Sequence, residues 1–490
     1  MIARNFLWLS VAQAAILVVG LFAGIYARRV LGPVAIGQYS WCVAVLTYFF
    51  LLANPKIGVI ALRDVARQPG LAARRFSQIL AVELSLALVA FSLVCMLAAI
   101  GLRGPTISHL LILSAIALLF VPLDITWLLQ AHDRMAPPAI CQVVVKILTL
   151  PALVLFVREP ADVTRYVWLA YPFQLGAIAY LCWYARRHRL LGWTEVRPTF
   201  SGGWPLIKEA VPLGVSQGAT NLYGNFDAIL LGFLSSDRIV GIYSTAYSLM
   251  MIPWFLSAAL TQAYFPRLSR LHDNERQSAI LTSDFLTFHV WLGISLAALG
   301  WAFGRHVIVF LYGQGFAESG PLLEWLSIDL ALAFFSAAVG QPLNAWGLQR
   351  KFVQVTLVGA VVNVALNFIL IPRFGVWGAV VTTLLAEGLV GVGCLWVRRR
   401  HVRILWWGIT AKPLFICFTA ALIGRYLASA FPGQWLISAM SVACGILAAF
   451  WVSERKGFVA LLHRMRGVAE SPSGDHDGVA PLTEQSGRSS

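Results

Sequence analysis

Asp227 is an ionisable residue in the middle of an apolar stretch. It lies within Gln217–Ser244, QGATNLYGNFDAILLGFLSSDRIVGIYS, with Gln217, Thr220, Asn221, Tyr223 and Asn225 for company. On a helix advancing about 100° per residue, Thr220, Tyr223 and Asp227 share one face. Gln217, Asn221 and Asn225 form an adjacent stripe at i, i+4, i+8, so the polar arc covers roughly half the circumference. A carboxylate at membrane depth is costly and faces a protein interior or a wet cavity. Amides and hydroxyls also serve as hydrogen-bonding glue between helices. Both readings hold for Asn221 and Asn225; Asp227, the group harder to hide, points to a cavity.

Other polar groups at depth are few. The first half of the chain holds Asp124, Gln130, Gln142, Lys146 and Gln174; the second adds Gln262, Asp284, Gln341, Asn344, Asn363, Asn367 and Glu387. Glu83, Glu324 and Asp329 fall nearer the ends of apolar segments. Asn363 and Asn367 share a helix face at i, i+4. Arg28 and Arg29 close the first apolar segment. An arginine fork or a lysine point charge suits a pyrophosphate, so Arg28, Arg29 and Lys146 are candidate anion contacts. The plainer readings are that Arg28 and Arg29 snorkel to headgroups and that Lys146 pairs with Asp124. The candidate substrate-binding set is therefore Arg28, Arg29, Asp124, Lys146, Gln217, Asn221, Asn225, Asp227, Asn363 and Asn367.

The elements that must position these groups are membrane spans. The 490 residues are 59% hydrophobic and 12% charged, half the roughly 25% charge of a soluble chain. A span needs about 20 apolar residues. Candidates centre on 6–27, 37–54, 79–101, 109–130, 138–157, 163–184, 205–233, 240–264, 280–303, 322–346, 352–371, 376–397, 404–427 and 433–452, about 14 in an all-α polytopic protein. The first span is retained, since it runs into Tyr26-Ala-Arg-Arg rather than a cleavage site. With the N-terminus cytoplasmic, about 26 of the 37 Lys and Arg fall on the cytoplasmic side, Arg398, Arg399, Arg400 and Arg403 among them, and about 9 outside, as the positive-inside rule predicts. Both termini are then cytoplasmic. The net charge of +15 is accounted for by sidedness and calls for no nucleic acid. The seven cysteines lie in apolar segments without metal-ligand spacing and read as small buried hydrophobes.

An internal repeat organises the spans. Gly37-Gln-Tyr-Ser40 and Gly241-Ile-Tyr-Ser244 each open a span, 204 residues apart. Six spans precede the Arg186–Arg197 loop and six follow it, a parallel repeat of the kind transporters use around a midplane site. The domains expected are residues 1–199 (N-lobe), 200–400 (C-lobe), 401–456 (two extra spans) and 457–490 (a polar, disordered-type cytoplasmic tail). Asp227 in one lobe and Arg28 in the other are expected to face the same cleft.

Signals for catalysis are missing: no metal-protease helix, no phosphate-cradling Gly-Lys-Ser/Thr loop and no nucleophile elbow occurs. No enzyme, cofactor, metal or ATP-hydrolysing module is expected, so any transport draws on a gradient or potential.

A family resemblance rests on ordered motifs. Ala27-Arg28, Leu31-Gly32-Pro33, Gly37 and Tyr39 open the set; Arg63-Asp64, Trp127-Leu-Leu-Gln130 and Asp227-Ala-Ile-Leu-Leu-Gly232 follow. Val240-Gly-Ile-Tyr243, Phe265-Pro-Arg-Leu268, Leu311-Tyr-Gly313 and the run from Asn367 through Pro372, Gly375 and Gly378 complete it. From about residue 1 to 400 the chain resembles Wzx-type polysaccharide flippases of the multidrug/oligosaccharidyl-lipid/polysaccharide exporter superfamily. The resemblance implies two six-helix lobes in a V, alternating access and flipping of an undecaprenyl-pyrophosphate-linked oligosaccharide across the bacterial inner membrane, for O-antigen (lipopolysaccharide), capsule or exopolysaccharide. Its partners would be membrane lipid, a polysaccharide polymerase and a chain-length regulator, with proton or sodium coupling. The chain departs from the related peptidoglycan-precursor flippases in having no arginine in IYSTAYSLMMIPWFLSAAL. The alternative is a cation-coupled multidrug or small-molecule antiporter of the same superfamily, for which Asp124, Asp227 and Glu387 would serve.

Overall fold

A backbone in lipid must satisfy its own N–H and C=O groups, which a chain this apolar achieves with helices. The computed structural model describes residues 2–271, 275–399 and 406–467, and among them there are seventeen α-helices and no β-strand. α1 (Ile2–Ala53) runs 52 residues, roughly 78 Å at 1.5 Å per residue. The hydrocarbon core is about 30 Å thick, so α1 holds two crossings. Its ladder breaks at Gly32, φ 73° and ψ 175°, followed by Pro33. Glycine tolerates that φ and proline lacks the N–H a continuous helix would use. The expected spans 6–27 and 37–54 are the two limbs of this element.

α2 (Ile57–Arg67) was not anticipated. Its eleven residues are too few for a span, and it buries Ile57, Ile60, Ala61 and Val65 along one side, the helical period of a half-buried element. α3 (Ala72–Ala99) follows. The fourth expected span is three pieces: α4 (Pro105–Ala115), a 3₁₀ stretch Ile116–Leu123 containing Pro122, and α5 (Thr126–Ala131). Asp124 sits in the break, extended at φ −74° and ψ 108°. Next come α6 (Ala136–Phe156), α7 (Val163–Trp168), α8 (Ala170–Arg187), α9 (Gly203–Leu234), α10 (Asp237–Met251) and α11 (Trp254–Arg270). α12 (Glu275–Tyr312), α13 (Ser319–Ala345), α14 (Gln349–Phe374), α15 (Val376–Arg398), α16 (Trp406–Ala430) and α17 (Trp435–Gly467) complete the order.

Among the described residues, eleven helical stretches are long and apolar enough to cross a membrane, where about fourteen were expected. Ala15–Ala53 counts once, although it holds two expected spans. The region 163–184 divides at Leu169, and α9 contributes only Gly224–Leu234 from its described residues. Large apolar side chains lie on the outside, Phe415 at 74% and Val452 at 73% exposed, a surface suited to lipid and not to water. This is an all-α multi-pass membrane protein. Cys444 on α17 is exposed rather than buried.

The packing repeats. α1 packs on α6 as α9 packs on α14; α6 packs on α8 as α14 packs on α15. The two GxYS motifs meet: a Cβ on Gly37 would stand 1.7 Å from the Asp237 carbonyl oxygen, and one on Gly241 would stand 1.8 Å from that of Pro33. Pro33 and Asp237 are themselves 204 residues apart, so the contact is two-fold symmetric in sequence. Around this seam one apolar core runs through Leu31, Trp41, Val240, Ile308 and Phe334. α16 and α17 stand apart, held to α12 by Phe303, Ala421, Val442 and their neighbours.

Candidate functional site

The polar groups gather on two sides of α10. At 100° per residue, Thr245 and Ser248 project opposite to Tyr243 and Tyr247. The first pair meets Arg28. Its Nε donates to Thr245 Oγ1 at 3.1 Å and its Nη2 to Ser248 Oγ at 2.7 Å. Nη1 reaches the Gly24 carbonyl at 3.4 Å, and the guanidinium lies 5.4 Å from the centre of the Tyr312 ring, a cation–π contact. Tyr39 and Tyr166 stand edge to face at 5.0 Å, close enough to feel the arginine charge. Arg28 forms no ion pair among the described residues, so no carboxylate consumes its charge. The one arginine of α10, Arg238, stands at its first turn and pairs with Glu318 at 2.7 Å; the cation beside the Thr245 and Ser248 hydroxyls comes from the other half of the chain.

Arg29 is engaged differently. Its Nε and Nη2 donate to the carbonyls of Leu311 and Phe310, at 2.7 and 2.5 Å. These belong to the last turn of α12, which lacks intrahelical partners and carries the negative end of the helix dipole. Arg29 therefore caps α12. The same end of the seam is tied by Asp237, which accepts from Arg103 and, at 3.0 Å, from Gln38 Nε2. Arg103 also lies 4.7 Å over the Trp41 ring.

On the other side of α10 the groups are acidic. Asp227 is 2% exposed; Tyr243 Oη donates to its Oδ2, and Oδ1 has no hydrogen-bond partner among the described residues. Asp329, 3% exposed on α13, interacts electrostatically with Glu387 on α15 and with Asp227. Tyr247 feels all three carboxylates and stacks on Tyr243, with centroids 5.9 Å apart. Asn363 and Asn367 are fully buried on α14, where Asn367 Nδ2 donates to Asn363 Oδ1 at 3.0 Å. The remaining polar atoms of the pair, Asn363 Nδ2 and Asn367 Oδ1, have no hydrogen-bond partner among the described residues. Phe226 on Phe368, 5.4 Å apart, ties α9 to α14 next to Asp227. Three carboxylates within electrostatic reach of one another and of two tyrosines can share a proton; among the described residues they do not stand close enough to form a metal-ion cluster.

Asp227 and Arg28 do not meet across one cleft, as was expected; α10 stands between them. Asp124 is exposed at its helix break, and its Oδ1 accepts from the Thr126 N–H at 2.9 Å. Lys146 is exposed on α6 and forms no ion pair among the described residues, so its pairing with Asp124 is absent. Asn225 is half-buried. The side chains of Gln217 and Asn221 lie outside the described residues.

Residues 2–272, more than half of the chain, match the family described as polysaccharide biosynthesis protein. The chain belongs to that family. It is 26% identical over 373 residues to a Shigella dysenteriae protein described as an O-antigen transporter, covering 74% of this chain and 92% of that one. In fold it is similar to lipid II flippase MurJ in an inward closed conformation, with a TM-score of 0.72 at 12% identity over 92% of this chain and 99% of that one. An inward-facing multidrug resistance MATE transporter of the MOP superfamily gives a TM-score of 0.63 at 17% identity, over 81% and 98% of the two chains. The fold is thus common to flippases and drug transporters, and the side chains must separate them. In this polysaccharide biosynthesis protein the decisive ones include several absent from the candidate substrate-binding set. Tyr243 with Tyr247, and Thr245 with Ser248, were visible as polar stripes at helical spacing on opposite faces of α10. Asp329 was judged too near a span end. It stands ten residues into α13, about 15 Å along the axis.

Proposed function

We propose that this protein flips an undecaprenyl-pyrophosphate-linked oligosaccharide across the bacterial inner membrane, for O-antigen, capsule or exopolysaccharide assembly. The observation that carries the reading is Arg28, a guanidinium at the seam between the two halves of the chain. Two hydroxyls and aromatic rings hold it in place of a carboxylate. Such a group keeps its positive field for a substrate anion, and its fork suits pyrophosphate oxygens. The tyrosines and hydroxyls beside it suit sugar. The description of the Shigella relative supports the same substrate class.

Residues 1–199 and 200–400 act as two six-helix lobes that rock about the Gly37–Gly241 seam in alternating access. Residues 401–456 add two helices, the second of which, α17, runs on to Gly467, and 457–490 lie on the cytoplasmic side. Both termini are cytoplasmic, which puts the seam near the periplasmic face; a reporter fused within Arg197–Phe200 tests this, and a periplasmic signal would sink it. Asp227, Asp329 and Glu387 take up the coupling proton and return it as the lobes rock. The product passes to a polymerase and its chain-length regulator. The acidic cluster also favours a second reading, cation-coupled drug antiport. Deletion of the gene separates the two. Loss of surface polymer with unchanged drug susceptibility is expected; altered efflux with normal polymer would establish the antiporter.

A further inference from the structure

The Arg63-Asp64 motif sits on α2, the helix too short to span. Asp64 Oδ1 accepts from Arg63 Nε at 3.1 Å and from its Nη2 at 2.9 Å, while Asp64 Oδ2 accepts from Arg75 Nη2 at 2.6 Å. The remaining nitrogen of Arg63, Nη1, donates to Glu209 Oε1 in the second turn of α9. Asp64 thus aims one prong of the guanidinium at the other half of the chain. A second described ion pair also joins the halves, Arg103 with Asp237. From Glu209 to Leu234, the end of α9, is about 38 Å of helix, and Asp237 opens α10 just beyond it. The hydrocarbon core is about 30 Å thick, so the two pairs close the halves at opposite faces of the membrane.

The two closures are built differently. At the Asp237 end both side chains are sheltered, Arg103 at 8% and Asp237 at 21% exposed, and main chain lies on main chain at Gly37 and Gly241. At the Glu209 end Arg63 is 42% and Glu209 47% exposed. The glycines there, Gly214 and Gly218, are about one turn apart on α9. A Cβ on Gly214 would stand 3.4 Å from the Pro55 carbonyl oxygen, and one on Gly218 would stand 2.8 Å from Leu51 Cδ2, the tip of a side chain that can turn aside. An exposed ion pair is reached by water and salt and contributes little to holding this end. The linker into α9 stays with the first half. The Thr199 N–H donates to the Ser77 carbonyl at 3.3 Å, the Arg197 N–H to Ser77 Oγ at 3.1 Å, and Gln78 Nε2 to the Ser201 carbonyl at 2.6 Å. Between that tether and Glu209 lies Gly202 at φ 74°, a conformation glycine adopts freely and a place for α9 to pivot.

We propose that Arg63 and Glu209 form an ionic gate. The pair holds the α2–α9 end shut in this conformation and is the first of the two closures to release, with α9 swinging from Gly202 while the Asp237 end stays closed. Asp64 keeps the Arg63 fork aimed so that the gate can re-form. On the orientation proposed above, this end faces the cytoplasm, the side on which a flippase loads its cargo. The gate rests on the two lobes rocking as proposed, and not on what they carry.

Hydrogen–deuterium exchange of the full-length protein in nanodiscs, read by mass spectrometry, tests this without transport. Peptides covering 54–67 and 203–214 report the α2–α9 end; those covering 101–108 and 235–243 report the Asp237 end. Arg63→Gln and Glu209→Gln should each raise exchange at the α2–α9 end by roughly twofold to fivefold, the range an exposed pair allows, and leave the other end unchanged. The double variant should be no worse than either single, since the two side chains act through one contact. Raising salt from about 0.05 to about 0.5 M should open the same end in the wild type and not in Glu209→Gln, because salt screens an exposed pair. Unchanged exchange at the α2–α9 end in both single variants overturns the gate. So does an equal rise at both ends, which is general loosening, and so does strict additivity in the double variant. Exchange confined to the α2–α9 end, found together with altered drug efflux and normal polymer in the deletion strain, keeps the gate and changes only the cargo. Loss of polymer in that strain without end-specific exchange keeps the flippase reading and removes the gate.

Discussion

Replacing Gly37 by alanine places a methyl carbon 1.7 Å from the backbone carbonyl oxygen of Asp237. A real Cβ stays at least 3.0 Å from such an atom, so α1 and α10 must part by about 1.3 Å there. Neither side can yield by a rotamer change, because the opposing atom is main chain in a helix. A radial gap of 0.5–1 Å already forfeits roughly a quarter to a half of each dispersion contact, and overpacked cores lose about 1–3 kcal/mol, sometimes more. The parted seam also carries the Asp237 bonds to Arg103 and Gln38. A loss near 3 kcal/mol from this conformation alone shifts a two-state equilibrium by roughly a hundredfold. Gly37→Ala should therefore insert normally, cut surface polysaccharide at least tenfold and lower the melting temperature of the purified protein. Gly241→Ala meets the Pro33 carbonyl at 1.8 Å and should match it. The double mutant should be little worse than either single, since one methyl already opens the seam. The measurements are polymer chain profiles on gels, membrane protein level and thermal midpoint. Wild-type export by Gly37→Ala at equal protein level would refute the reasoning; so would strict additivity in the double mutant.

Other outcomes are expected. Arg28→Ala should lose more export than Arg28→Lys, because lysine keeps the charge but not the fork that spans Thr245 and Ser248; equal activity of the two would reduce Arg28 to a headgroup anchor. Asp227→Ala should abolish most export while membrane insertion continues, and full surface polymer in that strain would remove the acidic cluster from the mechanism. Asp64 lies outside the spans: burial pushes its carboxyl up, but the hydrogen bonds and charges of Arg63 and Arg75 outweigh this and hold it below the usual carboxylate range. Its folded pKa is thus below the unfolded value, so its stabilisation is present above about pH 4 and fades as pH falls through the folded pKa. Asp64→Asn should cost up to about 1 kcal/mol at neutral pH and progressively less as pH falls through the folded pKa; a penalty independent of pH would show that the ion pairs contribute nothing.

Much of the architecture was legible because lipid imposes length and apolarity on each crossing. The GxYS pair was legible for a sharper reason: where two backbones touch, only glycine fits, so Gly37 and Gly241 had to recur at the same offset as Pro33 and Asp237. Helix phase between different elements leaves no such trace. Arg28 and Asp227 were expected to face each other because both lie deep and carry opposite charge. Their separation depends on which way α10 turns Tyr243 against Thr245, and that is set by tertiary packing. α2 escaped notice because eleven residues of moderate hydrophobicity read as loop until Trp127 and its neighbours bury them. Asp329 was misjudged in depth because the start of α13 at Ser319 owes more to the preceding Gly313 turn than to any change in hydropathy.

The glycine seam bears on how such a chain can change. A residue on a two-fold axis meets its own counterpart, as at the self-complementary face of a symmetric dimer. Gly37 and Gly241 do this within one polypeptide. Each holds open the space the other occupies, so a substitution at one forfeits the room that made glycine necessary at the other. The two positions are, for the purposes of variation, a single position written twice. The motif should therefore persist or vanish as a pair while the residues around it drift apart.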